Sequence, residues 1–178
     1  MEKVKLLDKD GIDSIVKRLS FEILDKNKMI DNLAIVGIRT RGEVLANRIH
    51  KFILDEKNIN LKLGILDVTF YRDDFRTNIG SPKIGPSNIT FDVNNITVVL
   101  VDDVLYTGRT IRAAMDEVFS FGRPNRIQLC TLVDRGHREL PIKADYVGKN
   151  YPTKLNEHIY VHLKEIDGSD EIFLKEYK

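Results

Sequence analysis

The sequence predicts an α/β fold with a mostly parallel central sheet flanked by helices on both faces. Short apolar runs alternate along the chain with segments whose apolar residues recur at helical spacing. The run Val98–Val101 is apolar on both faces, which is typical of parallel strands inside such sheets. Because repeated strand-then-helix units favour parallel pairing, these two observations predict the α/β class.

The first predicted element is an amphipathic helix that begins near Ile12 and ends near Asn27. Its apolar stripe consists of Ile12, Ile15, Val16, Leu19 and Ile23. At about 100° per residue, Phe21 falls on the opposite face, close to Lys17. We therefore expect Phe21 to be exposed or to lie in an interface.

A strand-turn-helix unit follows. Leu33–Val36 is a short apolar run bounded by Gly37, and the next apolar residues recur at helical spacing. Those residues are Val44, Leu45, Ile49, Phe52 and Ile53. The segment 61–70 is strand-like again, whereas 71–95 carries the Gly and Pro residues of a long irregular connection. A connection of that length inside a compact domain is typical of a lid or a disordered segment.

A second such unit begins with the strand Val98–Val101. The helix after it has a predicted buried stripe of Ile111, Ala114, Met115, Val118 and Phe119, and Gly122 supplies its stop signal. Segment 126–133 is another strand. After Asp134 the pattern is irregular until Ile159, Val161 and Leu163 alternate with polar residues.

Composition bounds the class of protein. A chain of 178 residues with 42% hydrophobic residues fits one globular domain, 1–178, with 71–95 as its lid. The single cysteine, Cys130, lies in a strand-like segment and is interpreted as core filling. No apolar run approaches the roughly 18 residues of a membrane span, and no signal-peptide stretch follows Met1, so a soluble, cytoplasmic protein is expected. A formal net charge of +1 gives no global case for DNA, and an RNA site would have to be a local patch.

The strongest candidate site lies where the strand Val98–Val101 ends. Asp102 and Asp103 come directly after it, and 107–110 (Thr-Gly-Arg-Thr) open the following helix. Free N–H groups, two hydroxyls and the helix dipole favour a phosphate there. Carboxylates accept from a ribose diol or bind Mg²⁺, so acids beside an anion site fit a ligand with both hydroxyls and phosphate. The alternative is an ordinary capped helix after an acidic turn.

Residues 98–110 resemble the 5-phosphoribosyl 1-diphosphate (PRPP) motif of type I phosphoribosyltransferases. Within that family, 134–141 (Asp-Arg-Gly-His-Arg-Glu-Leu-Pro) and 144–150 (Ala-Asp-Tyr-Val-Gly-Lys-Asn) are similar to bifunctional regulators of pyrimidine-operon attenuation that also act as uracil phosphoribosyltransferases. The resemblance implies the type I phosphoribosyltransferase fold, with a small hood region and a flexible loop. It also implies a homo-oligomer, a dimer or higher.

The resemblance assigns roles to the motif residues. Asp102 and Asp103 would engage the ribose hydroxyls of PRPP, and Thr107, Gly108, Arg109 and Thr110 its 5-phosphate. The turn 37–42 would be the pyrophosphate loop, with Arg39, Thr40 and Arg41 holding the leaving group. Without the second motif, this turn would be interpreted as a Gly-bounded connection with two solvated arginines. It is not a P-loop, because Glu43 and Val44 stand where Lys and Ser or Thr are required.

The residue at Tyr106 favours a pyrimidine base. Related purine enzymes usually carry an acid at this position, and a phenol cannot replace that carboxylate. By resemblance, Arg135 and groups near His158, Ile159 and Tyr160 line the base pocket, although Ile159 equally fits a core position. His158 and His162 fall in a strand-like stretch without zinc-ligand spacing, so metal binding by them is not expected.

The implied reaction is uracil + PRPP giving UMP + pyrophosphate. Negative charge accumulates on the departing oxygens, where Mg²⁺ and the Arg39–Arg41 turn would stabilise it while 71–95 closes to exclude water. The magnesium would be held mainly through PRPP, with Asp102 and Asp103 as the candidate protein ligands.

The competing function is a UMP-sensing, RNA-binding regulator with little catalysis. The candidate RNA contacts are His137, Arg138, Lys149 and Thr153, within a locally basic segment that also fits an ordinary solvated loop. In the resembling regulators, the exposed face of the first helix tends to carry small polar and histidine side chains, whereas this chain has Lys17 and Phe21. The sequence therefore predicts weak or no attenuator-type RNA binding.

Overall fold

The computed structural model describes residues 3–68 and 86–177. Its elements are β1 (Lys3–Leu7), α1 (Lys9–Lys26), a short 3₁₀ helix (Ile30–Asn32), β2 (Leu33–Ile38), α2 (Arg41–Lys57), β3 (Lys62–Leu66), β4 (Thr97–Leu105), α3 (Arg109–Phe121), β5 (Arg126–Asp134), β6 (Tyr146–Asn150), β7 (Glu157–His162), α4 (Lys164–Asp167) and β8 (Glu171–Glu176). Residues 69–85 lie outside the described residues, and with them most of the predicted lid, 71–95. In the rest of it, Asn88 bridges to Ile65.

The central sheet has five parallel strands in the order β3-β2-β4-β5-β6. Side chains alternate between its two faces, as the period of a strand requires. On β4, Val99 and Val101 pack in one core cluster with α1 and α2, while Val98 and Leu100 pack with α3 in the other. The predicted parallel sheet with helices on both faces is confirmed.

The second sheet is antiparallel, with the order β1-β8-β7. It joins both ends of the described chain and packs through Val161 and Ile172 against the cluster that contains α1 and α2. The interpretation of 134–158 as irregular was wrong for β6, and the strands β1 and β8 were not predicted. β6 alternates two buried residues with a half-buried one before its exposed end, which is too short for a clear period.

Helix α3 corrects one predicted core residue. Ile111, Ala114 and Val118 are buried as expected, and Met115 is half-buried, but Phe119 is 52% exposed. Phe119 follows Val118 by one position and is therefore rotated about 100° away from the face that covers the sheet. Phe119 was assigned to the buried stripe because its side chain is apolar, and that assignment was wrong.

Helix α1 confirms the predicted stripe, since Ile12, Ile15, Val16, Leu19 and Ile23 are all buried. Asp8 caps the helix by accepting a hydrogen bond from Gly11 N, so the helix begins earlier than predicted. Phe21 is 37% exposed, and its ring meets Phe52 of α2 edge-on at 5.5 Å. The expected exposure of Phe21 is confirmed.

Buried side chains include one thiol and one hydrogen-bonded polar cluster. Burial raises the pKa of Cys130 to about 12, which fits its predicted role in the core. Asn27 at the end of α1 donates to Gln128 Oε1 and to Tyr146 Oη, both at 3.0 Å, and Tyr146 donates to Gln128 at 3.0 Å. This cluster ties α1 to β5 and β6. Among the described segments, no helix is long and apolar enough to span a bilayer.

We expect Tyr146→Phe to lower the free energy of unfolding by about 1–3 kcal/mol, because it removes two buried hydrogen bonds, one from Asn27 and one to Gln128, each contributing about 0.5–1.5 kcal/mol. Urea unfolding followed by circular dichroism measures the change. Tyr151→Phe is the matched control, since that hydroxyl lies 3.5 Å from Leu6 O in a half-buried position. Equal stability of the Tyr146 variant and wild type would contradict the role of the cluster.

Candidate active site

A cavity of about 810 Å³ lies at the carboxyl end of β4. β4 extends to Leu105, so Asp102 and Asp103 belong to the last part of the strand and not to the turn after it. Both line the cavity, with 3% and 9% of their surface exposed. Asp102 Oδ1 accepts from Asp103 N at 3.0 Å, and Asp103 Oδ1 accepts from Val104 N at 2.9 Å. These backbone bonds fix the carboxylates at the floor of the cavity.

The start of α3 forms a second part of the cavity. Gly108 is the N-cap at φ +95°, a left-handed conformation that favours glycine, and Thr107, Gly108 and Thr110 line the cavity. The first-turn N–H groups have no acceptor within the helix and carry its positive dipole end. Arg109 is not among the lining residues, and its side chain pairs with Glu139 at 2.8 Å. The backbone N–H of Arg109 donates to Thr107 Oγ1 at 3.2 Å.

The turn after β2 is pressed against β4. A Cβ at Gly42 would lie 2.3 Å from Val101 O, so only glycine fits this approach. Arg41 lines the cavity and is held by Asp167, with Nη2 at 2.7 Å and Nε at 3.2 Å from the two carboxylate oxygens. Arg39 and Thr40 are not among the described lining residues. Instead, Arg39 Nε donates to Glu43 at 3.1 Å.

Arg135 connects the motif on β4 to β7. Its guanidinium lies 4.1 Å from the centre of the Tyr106 ring, and it donates to Thr153 Oγ1 at 3.1 Å and to Glu157 O. Burial lowers the pKa of Arg135, an effect that Tyr106 and Glu157 oppose. Tyr106 and Arg135 both line the cavity.

Strand β7 completes the cavity with His158, Ile159 and Tyr160, so the predicted base-pocket residues lie together. Ile159 lines the cavity and is also packed in the core. Burial and the nearby Arg135 lower the pKa of His158. Sequence reasoning missed five lining residues: Val104, Leu105, Ile111, Val161 and Tyr177. Tyr177 follows β8, and no sequence signal placed it near the motif.

The predicted RNA contacts do not form one exposed patch. Arg138 donates to Tyr106 O at 2.8 Å, to Ile142 O at 2.9 Å and to the Asp134 carboxylate. The His137 Nε2 atom lies 2.6 Å from Thr153 O, and Thr153 contacts Arg135. Only Lys149 is an exposed side chain in this group. Arg138, His137 and Thr153 therefore stabilise the loop beneath Tyr106.

The residues of the cavity fit a magnesium ion that is coordinated mainly by a phosphate-bearing substrate and only in part by the protein. Within 3–68 and 86–177, no three His, Cys, Asp or Glu side chains are placed to hold a metal ion together. Asp102 and Asp103 supply carboxylate oxygens at the cavity floor, and Mg²⁺ often binds through one or two carboxylates plus substrate phosphates.

Residues 5–165 match the model of the phosphoribosyl transferase domain. The chain belongs to the phosphoribosyltransferase family. Among curated relatives, the Bifunctional protein PyrR of Clostridioides difficile is 51% identical over 99% of each chain. The Bifunctional protein PyrR of Fusobacterium nucleatum is 48% identical, over 95% of this chain and 96% of the relative.

Solved structures show that this phosphoribosyltransferase has the type I fold. A hypoxanthine phosphoribosyltransferase from Staphylococcus aureus aligns with a TM-score of 0.71 at 21% identity, covering 97% of this chain and 92% of the other. The Trypanosoma cruzi hypoxanthine phosphoribosyltransferase in complex with IMP aligns with a TM-score of 0.72 at 17% identity, covering 98% and 90%. At these identities the likeness concerns the fold alone.

Two arginines of α2 fasten the small sheet beside the cavity of this phosphoribosyltransferase. Arg41 pairs with Asp167, and Arg48 pairs with Glu165 and with Asp170, which it meets at 2.6 Å. Burial alone would raise the pKa of Asp167 and Asp170, but the arginines and backbone N–H groups outweigh it and lower both. Hydrogen bonding from Arg48 lowers the pKa of Glu165.

These lowered pKa values predict how stability depends on pH. A carboxyl whose folded-state pKa is depressed stabilises the fold above its unfolded pKa, and that stability is lost as pH falls through the folded pKa. We expect Arg48→Met to destabilise the protein by about 3 kcal/mol at pH 7, because it leaves the charge of Asp170 buried. The difference from wild type should shrink as pH falls below about 4.

Chemical unfolding between pH 7 and pH 3 measures this difference. Lys51→Met on the same helix is the control, because the Lys51–Asp55 pair is exposed and should contribute less than about 1 kcal/mol. A gap between Arg48→Met and wild type that stays constant with pH would contradict the assignment.

Proposed function

We propose that the chain transfers the 5-phosphoribosyl group of PRPP to uracil, giving UMP and pyrophosphate with Mg²⁺. The observation that carries the proposal is the single cavity shared by the carboxylate pair, the start of α3, Arg41 and β7. This reaction needs an acceptor for the ribose hydroxyls, a site for the 5-phosphate, a cation for the leaving group and a place for the base. These four elements would supply them in that order. The proposal includes a role in cytoplasmic pyrimidine salvage and a homo-oligomeric assembly.

The start of α3 would bind the 5-phosphate. Its N–H groups donate to phosphate oxygens, and Thr107 and Thr110 add hydroxyls at the same end of the cavity. Thr107 is anchored on both sides, since its Oγ1 accepts from Arg109 N at 3.2 Å and its carbonyl accepts from Glu139 N at 3.0 Å. An anchored loop binds an anion with little loss of conformational entropy.

Asp102 and Asp103 would accept hydrogen bonds from the ribose hydroxyls. Bound Mg²⁺ would neutralise the phosphate charge of PRPP and activate the leaving group. Because the carboxylates are held by backbone N–H groups, they orient the ribose so that its C1 faces the base.

Arg41 would stabilise the departing pyrophosphate. The bond from uracil N1 to C1 forms as the C1–O bond to pyrophosphate breaks and the N1 proton passes to solvent or to the departing pyrophosphate. Negative charge therefore grows on the oxygens that leave. A cation fixed in advance stabilises that charge without reorganisation. Asp167 fixes Arg41 in this way through two hydrogen bonds.

The base end favours a pyrimidine. Tyr106 is a phenol packed against Arg135, where a carboxylate for a purine nitrogen would be needed. β7 lies at the edge of the small sheet described here, so half of its backbone N–H and C=O groups point away from β8. Such a row of alternating donors and acceptors fits the N–H and carbonyl groups of uracil.

A second candidate function is an RNA-binding regulator that senses UMP. The relatives are called bifunctional, which supports a second activity in this chain. Filter binding of pyrimidine-leader RNA, with and without UMP at near-physiological salt, tests it. We keep the prediction of weak or no binding, because Lys17 and Phe21 replace the small polar and histidine side chains of the resembling regulators and Arg138 is engaged within its own loop. Submicromolar, sequence-specific binding that UMP enhances would contradict it.

We expect uracil to be used in preference to hypoxanthine, guanine and orotate in a steady-state assay with PRPP and Mg²⁺. The double variant Asp102→Asn, Asp103→Asn should lose turnover yet remain folded, because asparagine keeps the Oδ1 acceptors for Asp103 N and Val104 N. Turnover in a folded double variant would contradict the site. Preference for a purine would contradict the base assignment.

We expect Thr110→Ala to weaken PRPP binding by one to two orders of magnitude, since a charge-assisted hydrogen bond contributes roughly 1.5–3 kcal/mol. Isothermal titration with PRPP and Mg²⁺ measures the dissociation constant. Ser120→Ala is the control on the same helix, because Ser120 is exposed and bonds to Glu117 O. An unchanged constant for Thr110→Ala would remove it from the phosphate site.

A further inference from the structure

Tyr177, the last residue that the structure describes, lines the same cavity as the carboxylate pair. It lies beyond the end of β8, 74 positions after Asp103 in the sequence (177 − 103). The residue is half-buried, and its backbone N–H donates to Asn156 O at 2.8 Å. The Asn156 side chain donates to Tyr177 O at 3.2 Å and to Glu176 Oε1 at 3.1 Å. Tyr177 is therefore fixed at the cavity by specific bonds.

A continuous series of contacts joins Tyr177 to the PRPP motif. Tyr106 packs on Arg135, and Arg135 donates to Glu157 O, which precedes His158 in β7. The His158 ring meets the Tyr177 ring edge-on at 5.0 Å with an interplanar angle of 82°. Tyr177 thus forms the wall at the β7 end, where the base would lie.

The Tyr177 hydroxyl also contacts the Tyr160 hydroxyl. Two phenols carry two protons, and the bond between them uses one. The remaining proton is available to an acceptor in the cavity, which both residues line. Burial, with the Tyr177 contact, raises the pKa of Tyr160 to about 12, so this phenol stays neutral and keeps its proton at physiological pH.

We infer that Tyr177 is a base-binding residue: its ring closes the base end of the cavity, and the Tyr160–Tyr177 hydroxyl pair donates a hydrogen bond to a carbonyl oxygen of the pyrimidine. The inference rests on the proposed function and deepens it. A neutral donor suits a uracil carbonyl, and an aromatic wall suits a planar ring. Tyr177 acts on the base and leaves the PRPP contacts of α3 and the carboxylates unchanged.

Two variants separate the ring from its hydroxyl. Tyr177→Ala removes both, and we expect the KM of uracil and the Kd of UMP to rise about tenfold or more, with the KM of PRPP within about twofold of wild type. Tyr177→Phe keeps the wall, and we expect a rise of about threefold in the same two constants. A merely structural role of Tyr177 would raise the constants for uracil and PRPP together. That parallel rise, or unchanged constants in Tyr177→Ala, overturns the inference.

Thio-substituted bases test the hydrogen bond directly. Sulfur is a weaker acceptor than a carbonyl oxygen, so wild type should discriminate against 2-thiouracil or 4-thiouracil, whichever places sulfur at the hydroxyl pair. Tyr177→Phe should discriminate less against that analogue. Equal discrimination by the two proteins against both analogues overturns the donor role.

The Kd of UMP separates this inference from the proposed function. If wild type binds UMP but forms none from uracil, the proposed function fails, and the Kd values of the variants still decide the role of Tyr177. If wild type forms UMP and Tyr177→Ala binds it equally well, only the inference fails. A wild-type chain that neither binds nor forms UMP overturns both.

Discussion

The parallel pairing of β2 with β4 is the constraint on which the rest of the site depends. Gly37 is the register partner of Val101, so the turns that follow the two strands leave the sheet at the same edge. Gly42 then allows the start of α2 to approach the carbonyl of Val101, an approach that any Cβ would block. Arg41 and the Asp102–Asp103 pair share one cavity because of this close contact. Backbone geometry thus brings Arg41 and Asp102 into one site, although they lie 61 positions apart in the sequence (102 − 41).

Helix α2 connects this edge to the small sheet and so links stability to the arrangement of the site. Its first residue, Arg41, and Arg48 two turns later lie on one face and pair with acids between β7 and β8. The acids are in turn fixed by backbone N–H groups, with Leu163 N donating to Asp167 and Lys164 N to Asp170. The ion pairs that attach the small sheet to α2 therefore also fix the Arg41 side chain in the cavity and keep β7 beside it.

The sequence predicted what is local and missed what depends on long-range pairing. The carboxylates and the start of α3 are contiguous in the chain, and the apolar run before them identifies their strand, so their proximity follows from sequence. Tyr177 reaches the cavity only because β8 pairs with β7, and its neighbours in sequence carry no sign of that pairing. The resemblance assigned Arg39 to the pyrophosphate loop, but a sequence motif does not fix the partners of a side chain, and in the structure Arg39 pairs with Glu43 and Asp67. The prediction that Phe119 is buried was wrong for a related reason. Periodicity shows which face of a helix is apolar, but it does not show how much of that face the sheet covers.

The adjacent carboxylates Asp102 and Asp103 are placed at the cavity by the geometry of β4, and burying them costs free energy of folding. Successive side chains on a strand point to opposite faces, so Asp102 and Asp103 flank the end of β4 and can act on different parts of one ligand. Burying two negative charges this close is unfavourable, and the backbone N–H groups that donate to each Oδ1 offset part of that cost. In the proposed function, ribose hydroxyls or a cation would add to these bonds. A ligand that binds both members of such a pair therefore stabilises the folded state as well as being positioned by it.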